Sequence, residues 1–132
     1  MKRSQVIFFI LFIMFLSGCS SERDQLVGVW KVSNVSITAD SGVVSGEEIL
    51  AVENSQKSVS FELFKDSTIN LIAGGSAVPG IWYYDENKAE VYVTLDGSFP
   101  SDSIILGKYD HGVIIKNEKH AFGELTSVFE KR

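Results

Sequence analysis

Most of the chain after residue 28 alternates apolar and polar residues with the period of two that is typical of β-strands. Residues 90–95, Glu-Val-Tyr-Val-Thr-Leu, show this pattern clearly, and polar turns follow most such segments. The pattern predicts eight strands, at residues 29–37, 58–64, 68–73, 81–84, 89–95, 103–108, 112–116 and 123–130. Between them we predict breaks at Gly74-Gly75 and Pro79-Gly80, and a polar turn at Asn117-Glu118-Lys119.

The connections between these segments favour an antiparallel barrel. Most predicted strands are joined by short polar turns, and the helical crossovers that parallel strands require are absent after residue 57. Eight antiparallel strands close most economically as an up-and-down barrel, because closure removes exposed sheet edges. The predicted fold class is therefore all-β, with one eight-stranded antiparallel up-and-down barrel formed by residues 26–132.

One connection, residues 38–57, is long enough to hold a further element. Ser45 and Glu48 have the spacing of a helix capping box, and Ile49, Leu50 and Val52 follow as an apolar face. We predict a short helix at residues 46–54 that lies over one barrel mouth. A surface loop is the alternative, because short isolated helices are marginally stable.

The first 18 residues have the layout of a secretory signal. Lys2 and Arg3 form a positive start, and an unbroken apolar run of eleven residues extends from Val6 to Leu16. This run is about half of the roughly 20 residues that a transmembrane helix needs. Small residues then lead into Cys19, which is the only cysteine.

The tetrad Leu-Ser-Gly-Cys at residues 16–19 resembles the lipobox of bacterial lipoprotein signal peptides. The resemblance implies cleavage before Cys19, a diacylglycerol on the Cys19 thiol, and acylation of the new amino terminus by a fatty acid such as palmitate. Residues 19–25 are then the lipidated cysteine and a short polar tether. Ser20 resembles the pattern that permits outer-membrane sorting. We therefore expect an exported, lipid-anchored protein that faces the periplasm from the outer membrane, if the organism has two membranes.

The acidic balance of the chain excludes several partners. Removal of Lys2 and Arg3 with the signal leaves ten basic residues against all seventeen acidic ones, so the net charge changes from −5 to −7. Binding to nucleic acid and electrostatic binding to anionic lipid both require clusters of Lys and Arg. We expect membrane contact through the lipid on Cys19 alone, and a fold held by its core without a disulfide.

Two Gly-x-Trp motifs, Gly28-Val29-Trp30 and Gly80-Ile81-Trp82, begin predicted strands. The first resembles the opening motif of lipocalins and of the small lipocalin-like domains in bacterial lipoproteins. The resemblance implies that Trp30 closes one barrel end. It also implies that a basic residue near the end of the last strand, here Lys131 or Arg132, packs over the Trp30 indole as a cation–π contact.

The same resemblance implies that a small hydrophobic ligand binds inside the barrel. The candidate ligand-binding residues are Trp30, Phe61, Leu71, Trp82, Tyr84, Val93 and Phe129. The alternative is that these side chains fill the barrel, since eight strands enclose just enough space for side chains or for one small ligand. In that case we expect an interaction module or inhibitor of the cell envelope. Exposed Tyr83 and Tyr92, on the opposite face, are then a candidate partner-binding patch.

No residue pattern indicates catalysis, a cofactor or a metal. His111 and His120 are the only histidines and are nine residues apart, which is wider than usual metal-ligand spacing. No serine lies in a G-x-S-x-G motif, and the pairs Glu47-Glu48 and Asp85-Glu86 are typical of a helix start and a turn. We therefore expect a protein that is not an enzyme.

Overall fold

The structure is a computed structural model that describes residues 21–39, 45–95 and 103–132, so the predicted signal segment and Cys19 lie outside the described residues. Eight strands form one closed barrel in which every strand pairs antiparallel with its sequence neighbours and β8 pairs with β1. The predicted all-β fold is confirmed. The strands are β1 (Gly28–Ala39), β2 (Ser60–Leu63), β3 (Thr68–Ala73), β4 (Ser76–Asp85), β5 (Glu90–Thr94), β6 (Ile104–Asp110), β7 (Val113–His120) and β8 (Gly123–Lys131).

Two helices accompany the barrel, α1 (Glu22–Leu26) before β1 and α2 (Gly46–Lys57) between β1 and β2. The predicted capping box is confirmed: the Ser45 hydroxyl accepts from the Glu48 amide at 3.3 Å, and the Ser45 amide donates to the Glu48 carboxylate at 3.1 Å. Helix α2 packs against β1 and ends three residues later than predicted. Neither of these two helices, within the described ranges, has the length and apolar character needed to span a bilayer.

The up-and-down order of the strands gives the barrel two distinct ends. We call one the closed end: it carries α1, the turns after β2, β4 and β6, and the last residues of β8. We call the opposite end the mouth: it carries α2 and the turns after β3 and β7. The two ends are described separately below because their side chains differ in chemistry.

The predicted break at Pro79-Gly80 is wrong, because β4 continues through both residues. Pro79 lies opposite Asn70 of β3, while pairing of β4 with β5 starts only at Ile81. Among the described residues, one edge of β4 therefore has no paired strand at Pro79, and a residue without an amide proton is tolerated there. A Cβ on Gly80 would lie 2.6 Å from the Thr94 carbonyl oxygen, so this glycine allows close approach of the neighbouring strand.

A β-bulge between Val32 and Asn34 interrupts the alternation in β1. Strict alternation assigns Trp30 and Val35 to opposite faces, yet both are buried, with 1% and 9% of their surfaces exposed. The extra residue at the bulge moves the rest of β1 by one position. As a result, β1 contributes apolar side chains to the core on both sides of the bulge.

The predicted turn at Asn117-Glu118-Lys119 is also wrong, because β7 continues to His120 and turns at the next two residues. Register with β8 explains the difference, since β7 pairs with β8 from Val113 to His120 without interruption. Glu118 is stabilised in the strand by Lys116, whose ammonium lies 3.2 Å from one carboxylate oxygen. A polar run that is typical of a turn is here part of the barrel wall.

Candidate binding site

The candidate ligand-binding residues predicted from the sequence all lie in or against the core. Six of them belong to one buried cluster and are at most 6% exposed, while the seventh, Leu71, is partly buried and packs against it. The six are Trp30, Phe61, Trp82, Tyr84, Val93 and Phe129. The structure thus brings all seven residues together.

The aromatic rings of this cluster contact one another. Trp30 stacks on Phe61 with ring centroids 6.3 Å apart, and Phe61 tilts against Phe129 at 5.0 Å. Rings at these distances fill space as core residues do. This layer of the barrel is therefore a packed core, and binding of a ligand by these residues stays a prediction.

At the closed end, α1 lies against the barrel, whereas the sequence assigns residues 19–25 to a polar tether. Leu26 is fully buried, and its carbonyl accepts from the Trp30 indole N–H at 2.7 Å. The Lys131 ammonium donates to the Gln25 carbonyl at 3.0 Å. The carbonyls at the end of this short helix therefore have barrel side chains as partners, which a helix terminus requires.

The second Gly-x-Trp motif meets α1 through a cation. The Trp82 indole donates to the Phe64 carbonyl at 2.9 Å, and the Arg23 guanidinium lies 4.4 Å from the Trp82 ring centroid. Arg23 also donates to the Ser67 hydroxyl at 2.7 Å. The cation–π contact predicted for Lys131 or Arg132 on Trp30 is instead observed between Arg23 and Trp82. Lys131 extends beside Gly28, where a Cβ would lie 2.6 Å from the lysine Cε.

Tyr84 completes the closed end. Its hydroxyl donates to the Glu22 carboxylate at 2.7 Å, and burial, followed by this hydrogen bond, raises the pKa of Tyr84 above its ordinary value. Tyr109 donates to the Gln25 side chain at 2.8 Å and packs edge-on against Trp30 and Tyr84. Helix α1 and the aromatic core are thus joined by several hydrogen bonds that sequence patterns did not predict.

The mouth has a cavity of about 400 Å³, which we call the mouth groove. It lies between α2 and the turn from β7 to β8, and the His120 ring stacks on Phe122 with centroids 4.9 Å apart. Its lining is mainly apolar. The lining residues are Ala51, Val52, Ser55, Gln56, His120, Phe122 and Leu125.

Charged side chains line the inner face of β7 beside this groove. On β8, Leu125, Ser127 and Phe129 alternate and are each at most 2% exposed, so they face the interior. The β7 residues opposite them face the same way. We call Lys116, Glu118 and His120 the inner charged row: Glu118 lies 3.2 Å from the Lys116 ammonium and 3.7 Å from His120 Nε2.

A second cavity, of about 250 Å³, lies where two barrel strands separate. In the described part of the chain, β6 and β7 pair only between residues 108–110 and 113–115. Toward the mouth, β6 stays with β5 and β7 stays with β8. We call this opening the lateral gap, and Gly107 and Lys108 line one side of it while Ile115 and Lys116 line the other.

Two hydroxyl groups are buried without a hydrogen-bond partner among the residues that the structure describes. They belong to Ser127, opposite Lys116 on the inner wall, and to Thr94, the last residue of β5. Buried polar groups in folded proteins nearly always have partners, so such exceptions are informative. Both hydroxyls lie outside the closed end.

The outer face of β4 to β6 carries a separate apolar surface. Tyr83 lies opposite Tyr92 with ring centroids 6.3 Å apart, and Tyr92 lies opposite Ile105. Tyr83 is 54% exposed, as predicted, whereas Tyr92 is half-buried. The Tyr92 hydroxyl donates to Glu90, and this hydrogen bond raises the pKa of Tyr92 to about 12.

The two histidines lie at opposite ends of the barrel. His111 occupies the turn after β6 and pairs with Asp110, while His120 ends β7 at the mouth. Within the described ranges, no three side chains of the His, Cys, Asp and Glu types form a group that suits a metal ion. Of the two, His120 lines the mouth groove.

Comparison with known proteins gives a fold relationship. No family model matches the chain, and no curated protein matches it. The structure is similar to the crystal structure of a DUF4847 family protein from Bacteroides vulgatus ATCC 8482, with a TM-score of 0.50 and 13% sequence identity. The match covers 86% of this chain and 98% of the other. At this identity the likeness supports the barrel fold, and function has to be argued from the site.

Proposed function

We propose that this protein is a lipid-anchored, lipocalin-like binding protein of the cell envelope that takes a small apolar or amphiphilic molecule in the mouth groove. The observation that carries the proposal is the groove itself, about 400 Å³ of mainly apolar lining beside polar groups. Ligand sites in proteins are typically concave, largely apolar and supplied with a few polar groups that orient the ligand. The proposal assigns binding to the mouth and stability to the aromatic cluster.

Helix α2 supports this role because it is loosely attached. It buries none of its residues completely, and the groove lies between it and the β7–β8 turn. An element with few buried contacts moves at low cost, as ligand-binding segments often do. A ligand in the groove gains apolar contacts with α2 and with Leu125 and Phe122 of the barrel. We propose no catalytic step, no cofactor and no metal for this site.

The position of α1 supports a defined orientation on a membrane. Cys19, which we propose as the lipidated residue, precedes the described Ser21 by two residues, a reach of at most about 7 Å. Helix α1 starts at Glu22 and packs on the closed end. An anchor at Cys19 therefore holds the closed end toward the bilayer and leaves the mouth groove directed away from it. In an organism with two membranes, we propose the periplasmic face of the outer membrane.

Filling the groove tests ligand binding. In the mature chain, residues 19–132 with Cys19→Ser, Ala51→Trp places a large ring in the groove, whereas Asn54→Trp places the same ring on an exposed part of α2. With decanol as the probe in isothermal titration calorimetry, we expect binding by the parent and by Asn54→Trp. We expect at least a tenfold loss for Ala51→Trp, as for an occluded apolar site. Equal binding by both variants would contradict the groove as the site.

Metabolic labelling tests the anchor. Cells that express the full chain are fed an alkyne analogue of palmitate, and the protein is then isolated and conjugated to a fluorophore. We expect label on the parent protein and none on Cys19→Ser, because the chain has no second thiol. Equal labelling of the two proteins, or no labelling of either, contradicts the proposed lipoprotein.

A second candidate function, an interaction module, is favoured by the outer aromatic surface. Ile81 and Tyr83 of β4 and Ile105 of β6 are each 45% exposed or more, and Tyr92 of β5 lies between Tyr83 and Ile105. A photo-cross-linking amino acid at position 83 is expected to give one discrete adduct in cells, and the same group at exposed position 124 is expected to give none. Absence of an adduct at position 83 contradicts this function.

A further inference from the structure

In the inner charged row, two nitrogen-bearing side chains share one carboxylate. Lys116 carries three N–H donors and His120 carries at least one, Glu118 supplies the carboxylate, and the Ser127 hydroxyl beside the row can donate or accept. One oxygen of Glu118 lies 3.2 Å from the Lys116 ammonium, and the other lies 3.7 Å from His120, beyond a normal hydrogen bond. The Ser127 hydroxyl, opposite Lys116 in the register, has no partner among the described residues.

The row also connects the two cavities of the mouth half. His120 at its outer end lines the mouth groove, and Lys116 at its inner end lines the lateral gap. Glu118, between them, contacts both. A molecule whose apolar part lies in the groove can therefore place a polar end against the row.

We propose that the inner charged row and Ser127 form a head-group site that holds the anionic end, in the simplest case a carboxylate, of an amphiphile whose apolar part occupies the mouth groove. This inference rests on the groove function proposed above and specifies the ligand class. The Lys116 ammonium and the Ser127 hydroxyl donate to the anion, and charge-assisted hydrogen bonds of this kind are stronger than neutral ones.

The balance of charge favours an anion over other polar ends. Glu118, the one carboxylate of the row, already contacts Lys116 and His120, so a cationic end would meet the Lys116 ammonium without a free counter-charge. A neutral alcohol gains an ordinary hydrogen bond and no ionic attraction. Glu90 and Lys108, which also line the lateral gap, have opposite charges and offset each other.

The experiment compares two probes of equal chain length, decanoate and decanol, by isothermal titration calorimetry at neutral pH and moderate ionic strength. The protein is the mature chain, residues 19–132 with Cys19→Ser. We expect decanoate to bind more tightly than decanol by about tenfold, the effect of one charge-assisted hydrogen bond. Lys116→Met should remove this preference by weakening decanoate binding far more than decanol binding, and Lys116→Arg should retain it.

The matched control is Lys119→Met, which removes the same charge from the opposite, exposed face of β7. We expect this variant to bind both probes as the parent does. Decanol binding also reports that each variant keeps a folded groove. If decanol and decanoate bind equally and Lys116→Met changes neither, the head-group site is overturned while the groove stands. If neither probe binds the parent, both proposals fall.

Discussion

The two ends of this barrel differ in whether their buried polar groups have hydrogen-bond partners. At the closed end, the indoles of Trp30 and Trp82 and the hydroxyl of Tyr84 all donate to named acceptors at 2.7–2.9 Å. In the mouth half, Ser127 is buried with no partner among the described residues, and Lys116 and His120 share one carboxylate. Satisfied groups stabilise a single conformation, whereas a buried polar group without a partner costs stability.

Strand pairing is also more complete at the closed end than at the mouth. In the described residues, β1 pairs with β2 only from Gly28 to Lys31, beside the closed end. Likewise β6 and β7 pair beside the closed end and separate toward the mouth. The sheet is continuous where α1 caps it and divided where α2 and the lateral gap lie. We infer that the closed end provides most of the stability and the mouth provides the binding surface.

Removal of a closed-end ring is expected to have the largest effect. Trp30→Ala deletes a fully buried indole and its hydrogen bond, so the free energy of unfolding should fall by about 3–5 kcal/mol. Phe122→Ala at the mouth should cost about 1 kcal/mol or less, because that ring is partly exposed. Urea unfolding followed by circular dichroism measures both variants. Equal losses would contradict the division of roles between the two ends.

The features that the sequence predicted correctly depend on short-range patterns. Alternation over five or more residues predicted the strands, and short polar turns predicted their antiparallel order. The capping box of α2 needs only Ser45 and Glu48, which are three residues apart. The burial of Trp30 is expected from the resemblance of its Gly-x-Trp motif to the opening motif of lipocalins, and the structure buries it. These features are local, so one chain contains enough information to predict them.

The features that the sequence did not predict depend on distant partners. The bulge after Val32 is visible only in the register between β1 and β8, more than ninety positions apart in the chain. Helix α1 is short and polar, and its residues are fixed by Tyr84, Ser67 and Lys131. Residues 117–119 resemble a turn because they are polar, whereas in the structure Glu118 lies on the inner face of β7, 3.2 Å from the Lys116 ammonium. Polarity alone therefore did not reveal the helix at Glu22–Leu26 and misassigned the end of β7.

The dependence of the free energy of unfolding on alkaline pH should distinguish the closed end from the outer face. The pKa of Tyr84 is raised above the ordinary value of 10.0 by burial and by Glu22. The folded state therefore retains a proton that the unfolded state releases, so the contribution of Tyr84 is constant below about pH 10 and decreases as the pH rises further. Urea unfolding at pH 8 to 11.5 should show this decrease.

Two tyrosine variants identify the source of that decrease. Tyr84→Phe should lose about 1 kcal/mol at pH 8, from the hydrogen bond to Glu22, and should show a weaker decrease above pH 10. The pKa of Tyr92 is also raised, to about 12, but its hydroxyl lies on the outer face with Glu90. Tyr92→Phe should therefore remove the smaller share of the decrease. If Tyr92→Phe removes more of the decrease than Tyr84→Phe does, the contact between Tyr84 and α1 is not the main source of the pH dependence.

The smallest effect is expected at α2, where it tests whether the mouth moves independently of the barrel. Ser45→Ala removes the hydroxyl that accepts from the Glu48 amide, and loss of such a cap costs a helix about 1 kcal/mol or less. Because α2 buries no residue completely, this loss should increase hydrogen exchange of α2 amides and leave β1 and β8 amides unchanged. Asn54→Ala, an exposed change within the same helix, should leave α2 exchange as slow as in the parent. If β1 amides exchange faster together with those of α2, helix and barrel unfold as one unit, and the adaptable mouth is contradicted.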